Sequence, residues 1–214
     1  MVTEPGVVAR ADGVLTCWYA ADESLMARYH DRECGRPVRE DRRLFEKLAL
    51  EGFQSGLSWL TILRKRENFR RAFRAFDIEA VARFTRRSVD RLLADAGIVR
   101  NRAKIEATIN NARRCRSLIG EFGSLAAYVW SFEPDASTHP RLADRDALMK
   151  MTTCPEAIAM SRDLKRRGWA FVGPTTVYAF MQAMGLVNDH IEGCRFGDDV
   201  ERARARFARP KKKS

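Results

Sequence analysis

Long hydrophobic runs are missing from this chain of 214 residues. No apolar stretch approaches the roughly 18 residues that a membrane-spanning helix needs, so we expect no membrane association. The first residues, MVTEPGVVARADGV, also lack the basic start and the apolar core of a secretory signal. These absences favour a soluble protein that works inside the cell.

Cysteine and histidine are scarce, with five and three residues respectively. An odd number of scattered cysteines does not suggest a disulfide framework, so we expect a reducing, cytoplasmic setting. With 45% apolar and 31% charged residues, the chain has the composition of an ordinary globular protein. Its length allows one large domain or two small lobes that share an interface.

The net charge of +11 is concentrated at the C-terminal end. Residues 201–214 have seven basic side chains and one acidic side chain, a net charge of +6, which leaves +5 for residues 1–200. This biased composition predicts a disordered tail over residues 198–214. Such a tail either attracts polyanions without reading their sequence or only aids solubility. The mildly basic body permits DNA binding without establishing it.

Helical periodicity dominates the sequence and no strand is evident, so the predicted fold class is all-α. We predict a flexible leader over residues 1–14 and a folded domain over residues 15–197. Asp77 and Ser88 are candidate N-caps, and Gly97 is a candidate C-terminal stop. The predicted helices cover residues 41–54, 58–73, 77–84, 88–96, 101–122, 155–167 and 175–184. The polar segment 134–154 is either a passage between lobes or a surface loop.

One carboxylate, that of Glu51, falls on the apolar face of the first long predicted helix. It shares this face with Leu44 and Leu48, and Trp59 follows eight positions later. A carboxylate that faces the core is costly unless a polar partner meets it. Glu51 is therefore either half solvated or capped at the helix end, or it forms a pocket with Trp59. Such a pocket would suit a flat, electron-poor, nitrogen-rich ring.

Two cysteines and two histidines near the ends of the chain form a candidate metal-ligand set. They follow the patterns Cys-x12-His and His-x3-Cys, and they are Cys17, His30, His190 and Cys194. Zinc accepts two cysteines and two histidines in closed tetrahedral sites, where it is structural because no position remains for substrate or water. The alternative is two ordinary thiols and two surface or hydrogen-bonded histidines.

A short basic connection joins the predicted helices 88–96 and 101–122. Ile98 and Val99 are apolar enough to anchor it against these helices. The free backbone N–H groups at the start of the second helix, with basic side chains nearby, would hold a DNA phosphate without reading bases. The alternative is an ordinary helical corner with a solvated basic face. The candidate DNA-binding residues are Gly97, Arg100, Arg102 and Lys104.

Four long segments together resemble the 3-methyladenine DNA glycosylase I family of the helix–hairpin–helix superfamily. The segments are YHDRECGRP (29–37), LEGFQSGLSWLTILRKRENFR (50–70), DAGIVRNRAKIEATINNAR (95–113) and RGWAFVGPTTVYAFMQAMGLVNDHIEGC (167–194). The resemblance spans about Cys17 to Cys194. It implies a two-lobed helix–hairpin–helix DNA glycosylase-like fold, in which one structural zinc ion on the four ligands ties the N-terminal and C-terminal segments together.

The resemblance also implies an activity, the removal of 3-methyladenine from alkylated double-stranded DNA in base excision repair. The damaged nucleotide would swing out of the duplex into a pocket. There Trp59 would stack on the base, Glu51 would accept hydrogen bonds from its amino edge as the catalytic residue, and Tyr29 would add a polar contact. The hairpin 97–104 would grip the DNA backbone. We expect a monomer in the bacterial cytoplasm that acts at the nucleoid.

The chemistry expected of such an enzyme needs little from the protein. Methylation on N3 leaves the purine of the nucleotide cationic, so the base leaves as neutral 3-methyladenine without being protonated. Water completes the hydrolysis at the sugar carbon and leaves an abasic site. No amine for a covalent strand-cutting step is evident, so we predict a monofunctional glycosylase.

Three positions near the expected pocket depart from the family pattern. The family usually has tryptophan at the places of Tyr19 and Cys34, and tyrosine at the place of Met26. Cys34 should leave space in the pocket or its wall because it replaces a large ring with a small group. The alternative functions are a zinc-stabilised damaged-DNA-binding protein with lost or altered glycosylase specificity, and a glycosylase for a bulkier lesion.

Overall fold

The computed structural model describes residues 6–22, 24–139, 141 and 144–212. The first five residues of the predicted leader and the last two of the predicted tail lie outside this part of the chain. Three positions of the polar segment 134–154 lie outside it as well. None of the helices in the described part combines the length and hydropathy that crossing a bilayer requires.

Helices dominate the described residues, as the periodicity predicted. Two 3₁₀ turns, Trp18–Ala20 and Arg74–Phe76, accompany them. The α-helices are α1 (Leu25–Arg32), α2 (Asp41–Gln54), α3 (Trp59–Ala72), α4 (Ile78–Ala82), α5 (Arg86–Ala94), α6 (Arg102–Phe122), α7 (Leu125–Trp130), α8 (Arg145–Lys150), α9 (Pro155–Arg166), α10 (Pro174–Met184) and α11 (Arg195–Arg206).

The predicted helix boundaries are correct for α2 and differ by a few residues elsewhere. Asp77 caps α4, since its carboxylate accepts from the Ala80 N–H at 2.7 Å. Ser88 is not the N-cap of α5. Thr85 caps that helix, and the Ser88 hydroxyl accepts from the Thr85 N–H at 3.2 Å, as in a capping box. The same helix ends at Ala94, before the position predicted from Gly97.

Two short strands correct the expectation that no strand is present. Among the described residues, β1 (Val7–Ala9) and β2 (Leu15–Cys17) pair antiparallel, with Val7 opposite Cys17. Three residues give too few alternations for a period of two to be recognised in the sequence. Residues 7–9 of the predicted flexible leader therefore belong to the fold, and the hairpin fixes Cys17 in a buried position.

The prediction of a disordered tail is wrong for its described part. Helix α11 continues to Arg206, and the next residue, Phe207, packs its ring on Trp130 with centroids 4.5 Å apart. Beyond it, the Arg209 guanidinium pairs with Glu133 at 2.9 Å. One aromatic anchor and an acidic partner hold a segment whose composition alone predicted disorder.

The hydrophobic core of the described residues consists of two clusters of unequal size. The larger extends from Val38 to Val187, and within it α10 packs on α2 and α9 while α4 packs on α6. In addition, α3 packs against both α1 and α2. The smaller cluster joins the N-terminal hairpin to the C-terminal part of the chain through Val7, Cys17, Ile191 and Cys194. These contacts position the two sites described next.

Candidate active site and metal centre

Three helices bring the predicted pocket residues Tyr29, Glu51 and Trp59 together. Tyr29 lies on α1 and Glu51 on α2, and Trp59 is the first residue of α3. The rings of Tyr29 and Trp59 have centroids 5.3 Å apart and are tilted by 53°. Glu51 is only 5% exposed, which excludes the half-solvated alternative for its carboxylate.

A lysine that was not predicted, Lys47, contacts all three of these residues. Its Nζ lies 2.7 Å from Glu51 Oε1, donates to the Tyr29 hydroxyl at 2.9 Å, and stands 3.2 Å from the centre of the Trp59 ring. Burial lowers the pKa of Lys47, and Glu51 opposes that effect. Burial also raises the pKa of Tyr29 well above its usual value, so its phenol stays neutral. The sequence clue was the lysine four residues before Glu51 on one helix.

A cavity of about 560 Å³ opens beside Tyr29 and Trp59. This volume lies in the range of small-molecule binding sites. All three departures from the family pattern, Tyr19, Met26 and Cys34, contribute to its wall, which agrees with the expectation that Cys34 leaves space. Burial raises the pKa of Cys34 to about 11, so the wall carries a neutral thiol there.

The expectation that Glu51 and Trp59 line one cavity needs correction. Among the described residues, the wall of the large cavity includes Trp59 and excludes both Glu51 and Lys47. Lys47 instead lines a cavity of only about 40 Å³, which also touches Tyr29 and Trp59. The ammonium group of Lys47 lies against both this carboxylate and the Trp59 ring.

A second buried carboxylate, that of Asp189, lies in the wall of the large cavity and was also not predicted. It accepts hydrogen bonds from Tyr178 at 2.5 Å, Gln182 at 2.6 Å and the His139 ring at 2.8 Å. Burial alone would raise the pKa of Asp189, but these hydrogen bonds lower it below its usual value. His139, the third histidine of the chain, thus pairs with Asp189 and does not belong to the predicted metal-ligand set.

Three of the four predicted metal ligands come together where the small hydrophobic cluster joins the chain ends. The ligand atoms of Cys17, His30 and Cys194 lie within 4.8 Å of one another. The ring of His190 stands 4.7 Å from that of His30, centroid to centroid. Its Nδ1 contacts Asn188 Oδ1 at 2.9 Å, while its Nε2 is buried without a hydrogen-bond partner among the described residues. An enclosed nitrogen lone pair of this kind suits a metal ion.

The electrostatics of the two cysteines also suit a metal. The pKa of Cys194 is lowered by a hydrogen bond from Cys17 and by the neighbouring His30, while the pKa of Cys17 is raised because it holds the shared proton. His30 contacts Asp31 Oδ1 through Nδ1 at 2.8 Å, which leaves Nε2 directed towards Cys194. A carboxylate that bonds the other ring nitrogen of a metal-binding histidine commonly fixes the orientation of its ring. Cys17, His30 and Cys194 could therefore hold a metal ion, and His190 lies beside them.

The connection between α5 and α6 is a compact corner, as expected. Ile98 is buried in the larger cluster, and Val99 packs against it. The Gly97 N–H donates to Asp95 Oδ1 at 2.8 Å, and the Gly97 carbonyl accepts from Asn68 Nδ2 at 3.1 Å. A Cβ at position 97 would lie 2.9 Å from Asp95 Oδ1, so a larger residue there would have to displace the Asp95 side chain.

Three basic residues were predicted to face a phosphate here, and two of them do face solvent. Arg100 is exposed, and the Arg102 side chain is 53% exposed, with long contacts to Asp90 and Glu106. Lys104 is buried instead: its Nζ donates to the Phe53 carbonyl at 2.8 Å and also to the Ser55 carbonyl. Its ammonium compensates the free carbonyls at the end of α2, so the structure does not place it with Arg100 and Arg102 at the solvent-facing side of the corner.

A family model described as Methyladenine glycosylase matches residues 18–197. The chain is 44% identical over 179 residues to DNA-3-methyladenine glycosylase 1 of Escherichia coli (strain K12), covering 83% of this chain and 94% of that protein. A crystal structure of 3-methyladenine DNA glycosylase I superposes with a TM-score of 0.78 at 44% identity, covering 84% of this chain and 98% of that one. A variant of 3-methyladenine DNA glycosylase I in complex with 3-methyladenine gives a TM-score of 0.76 at 33% identity, over 91% and 98% of the two chains. The chain therefore belongs to the methyladenine glycosylase family.

Proposed function

We propose that this protein is a monofunctional DNA glycosylase that hydrolyses the N-glycosidic bond of 3-methyladenine in alkylated double-stranded DNA, as a step of base excision repair. The observation that supports this most is the junction of Tyr29, Glu51 and Trp59 beside a cavity, in a chain of this family. The lesion is enclosed in the duplex, so the nucleotide has to swing out to reach this cavity.

In this mechanism the side chains recognise the base and stabilise charge, and none has to donate a proton. The indole of Trp59 offers a flat face on which an electron-poor purine stacks. The carboxylate of Glu51 accepts from the amino edge of the base and stabilises positive charge on the base and the sugar as the bond breaks. The neutral phenol of Tyr29 supplies a further polar contact. The products are free 3-methyladenine and an abasic site.

We propose that the corner between α5 and α6 acts as a helix–hairpin–helix element that holds the DNA backbone. The backbone of Gly97 is held by Asp95 and Asn68, and Arg100 and Arg102 provide exposed positive charge. The side-chain oxygen of Asn101 accepts a hydrogen bond from the Lys104 N–H at 3.1 Å. The other N–H groups of the first turn of α6 can therefore donate to a phosphate. Contacts of this kind position the protein without reading sequence.

We propose one structural zinc ion on Cys17, His30, His190 and Cys194. Two thiolates and two imidazole nitrogens are a ligand set that zinc takes in closed tetrahedral sites. Zinc there would link the N-terminal hairpin to the segment after α10 and take no part in the reaction. The four ligands come from both ends of the described chain, so the ion would close nearly the whole fold into a loop.

The experiment that tests the activity is a base-release assay on DNA alkylated at purine nitrogens, with the free bases separated by chromatography. We expect release of 3-methyladenine from the wild type and a loss in Trp59→Ala. Stacking of a base on an aromatic ring contributes roughly 1–3 kcal/mol, so binding of free 3-methyladenine should weaken by roughly 5- to 150-fold. Trp169→Phe is a matched control, since Trp169 is buried in the larger cluster and does not line the large cavity among the described residues. Equal loss in both variants would contradict the stacking role.

A second candidate function is a damaged-DNA-binding protein with altered or lost glycosylase specificity. It is favoured by one observation, namely that Lys47 covers Glu51 and lies on the Trp59 ring. The same assay separates the two candidates. Binding of alkylated DNA without release of any methylated purine would favour this second function.

The hairpin proposal predicts a change in salt dependence. Arg100→Ala and Arg102→Ala should each remove about one phosphate contact, which flattens the plot of log affinity against log salt by about 0.9. Binding of undamaged duplex DNA measured from 50 to 200 mM salt checks this. Arg116→Ala is the control, because that exposed arginine lies further along the same helix, roughly 20 Å away. If all three variants have the wild-type slope, the corner has no DNA-binding role.

A further inference from the structure

Lys47 occupies the space between the two groups that the proposed function assigns to the base. Its Nζ is 3.2 Å from the centre of the Trp59 ring and 2.7 Å from Glu51 Oε1. The distance to the ring is about that of van der Waals contact, the spacing at which a stacked base would lie. A base that touches this face of Trp59 and Glu51 at once therefore needs the volume that the ammonium holds.

The ammonium is firmly held where it stands. It has a carboxylate, a phenol oxygen and an aromatic face as partners, and its side chain is 7% exposed. A cationic base brought beside it would add a like charge in a region of low dielectric, which is strongly unfavourable. Glu51 and Lys47 also neutralise each other, so this side of the pocket does not attract cations as an unpaired carboxylate would.

The two cavities show how a base would meet Lys47. Tyr29 and Trp59 line both the cavity of about 560 Å³ and the cavity of about 40 Å³ beside Lys47. A nucleotide that enters the larger cavity therefore meets Tyr29 and Trp59, the two side chains that also border Lys47. To go further it either displaces the ammonium or offers it a hydrogen-bond acceptor.

We propose that Lys47 is a specificity-determining residue, which competes with the alkylated base for Glu51 and Trp59 and favours neutral bases that present a hydrogen-bond acceptor. This inference rests on the proposed function, since it assumes that bases bind at this pocket. A neutral purine with a carbonyl oxygen is the class that Nζ would accept, because a lysine ammonium can only donate. A cationic N3-methylpurine, in contrast, binds only after Lys47 has moved.

Lys47→Met tests the competition, with Lys47→Arg as the matched variant that keeps the charge. Calorimetric titration with free 3-methyladenine and with hypoxanthine, which has a carbonyl oxygen, gives the two affinities. We expect Lys47→Met to bind 3-methyladenine at least tenfold more tightly than the wild type and hypoxanthine at least threefold more weakly. Its KM for release of 3-methyladenine from alkylated DNA should fall by a similar factor, and Lys47→Arg, which keeps the charge, should gain no affinity for 3-methyladenine.

The wild-type protein provides a measurement that does not depend on the folding of a variant. In a crystal structure with 3-methyladenine, we expect the base on Trp59 and Glu51, with Nζ displaced from the ring centre. Lys47 left in place, with the base elsewhere in the large cavity, would overturn the inference. So would a wild type that releases 3-methyladenine while a folded Lys47→Met gains no affinity, and that result leaves the proposed function standing. Absence of binding and release in the wild type and in both folded variants would overturn the proposed function together with the inference.

Discussion

Replacing Cys194 with alanine should abolish the proposed metal binding and destabilise the protein on the order of 5 kcal/mol. Structural zinc contributes roughly 10–16 kcal/mol in isolated zinc fingers, and the loss should be smaller here because the larger hydrophobic cluster persists. For a chain of this length, such a loss corresponds to a fall in Tm of roughly 10–20 °C. Thermal unfolding together with elemental analysis of the purified variant measures both effects.

The expected size of this effect follows from what the metal would hold together. Cys17 and Cys194 both belong to the small cluster that joins the chain ends. Without an ion, the buried Nε2 of His190 has no partner among the described residues. Such a group is costly in the interior. A chelator should therefore have the same effect on the wild type as the substitution.

Cys115→Ala is the matched control for the metal prediction. Cys115 is also fully buried, but it lies in the larger cluster. Its replacement removes the same atoms, so the loss of packing is similar while the metal should remain. Equal falls in Tm for the two variants, with no metal in the wild type, would show that the two cysteines and two histidines are only packed side chains.

The helical part of the fold was predictable because apolar residues recur with the helical period over many turns. The long helices α2, α3 and α6 were found on that basis nearly to the residue. The hairpin of β1 and β2 was missed because strands of three residues hardly show a period. The order of the tail depends on the contact of Phe207 with Trp130, and composition contains no information about such a contact between distant parts of the chain.

The members of the candidate site were more predictable than their arrangement. Glu51 was conspicuous as a carboxylate on an apolar helix face, and this unfavourable position pointed to a partner. The partner could not be identified from the sequence alone, since Lys47 and Lys104 are both basic residues on amphipathic helices. One of them lies against Glu51 and the other against the carbonyl of Phe53. The packing of the neighbouring helices determines the orientation of each lysine side chain. This orientation can therefore be read only from the three-dimensional structure.

Glu51→Gln should lower the release of 3-methyladenine by roughly 10²–10³-fold, the usual effect of losing one group that stabilises developing charge. Affinity for undamaged duplex DNA should stay within about twofold, since phosphate contacts away from the pocket dominate that affinity. Single-turnover release from alkylated DNA and a binding titration with undamaged DNA measure the two quantities. Equal losses in both would contradict a role for the carboxylate in the pocket.

This substitution also affects stability, because it leaves the ammonium of Lys47 without its counter-ion. Removing one partner of a buried ion pair typically costs about 3–5 kcal/mol. The loss should be smaller here, about 1–3 kcal/mol, because the amide oxygen of Gln still accepts a hydrogen bond from Nζ. Burial already lowers the pKa of Lys47, and the substitution removes the carboxylate charge that opposes this effect. Release should be compared at a temperature where thermal unfolding shows both proteins to be folded.

Glu46→Gln is the control for these effects, since Glu46 lies on the same helix and pairs with Arg70 at 2.7 Å rather than with Lys47. We expect its activity to stay within about twofold of the wild type. The charge of Glu46 is neutralised by Arg70, so losing it should not disturb the pair of Lys47 and Glu51.

The double variant Lys47→Met with Glu51→Gln separates the two roles that the carboxylate could have. If Glu51 acts on the base, its replacement should still reduce release in the Lys47→Met background, by at least as large a factor, because Lys47 no longer competes for the carboxylate. If the carboxylate only holds the ammonium in place, Glu51→Gln should have no effect in the Lys47→Met background. That second result would remove Glu51 from the reaction and leave Trp59 and Tyr29 as the groups that contact the base.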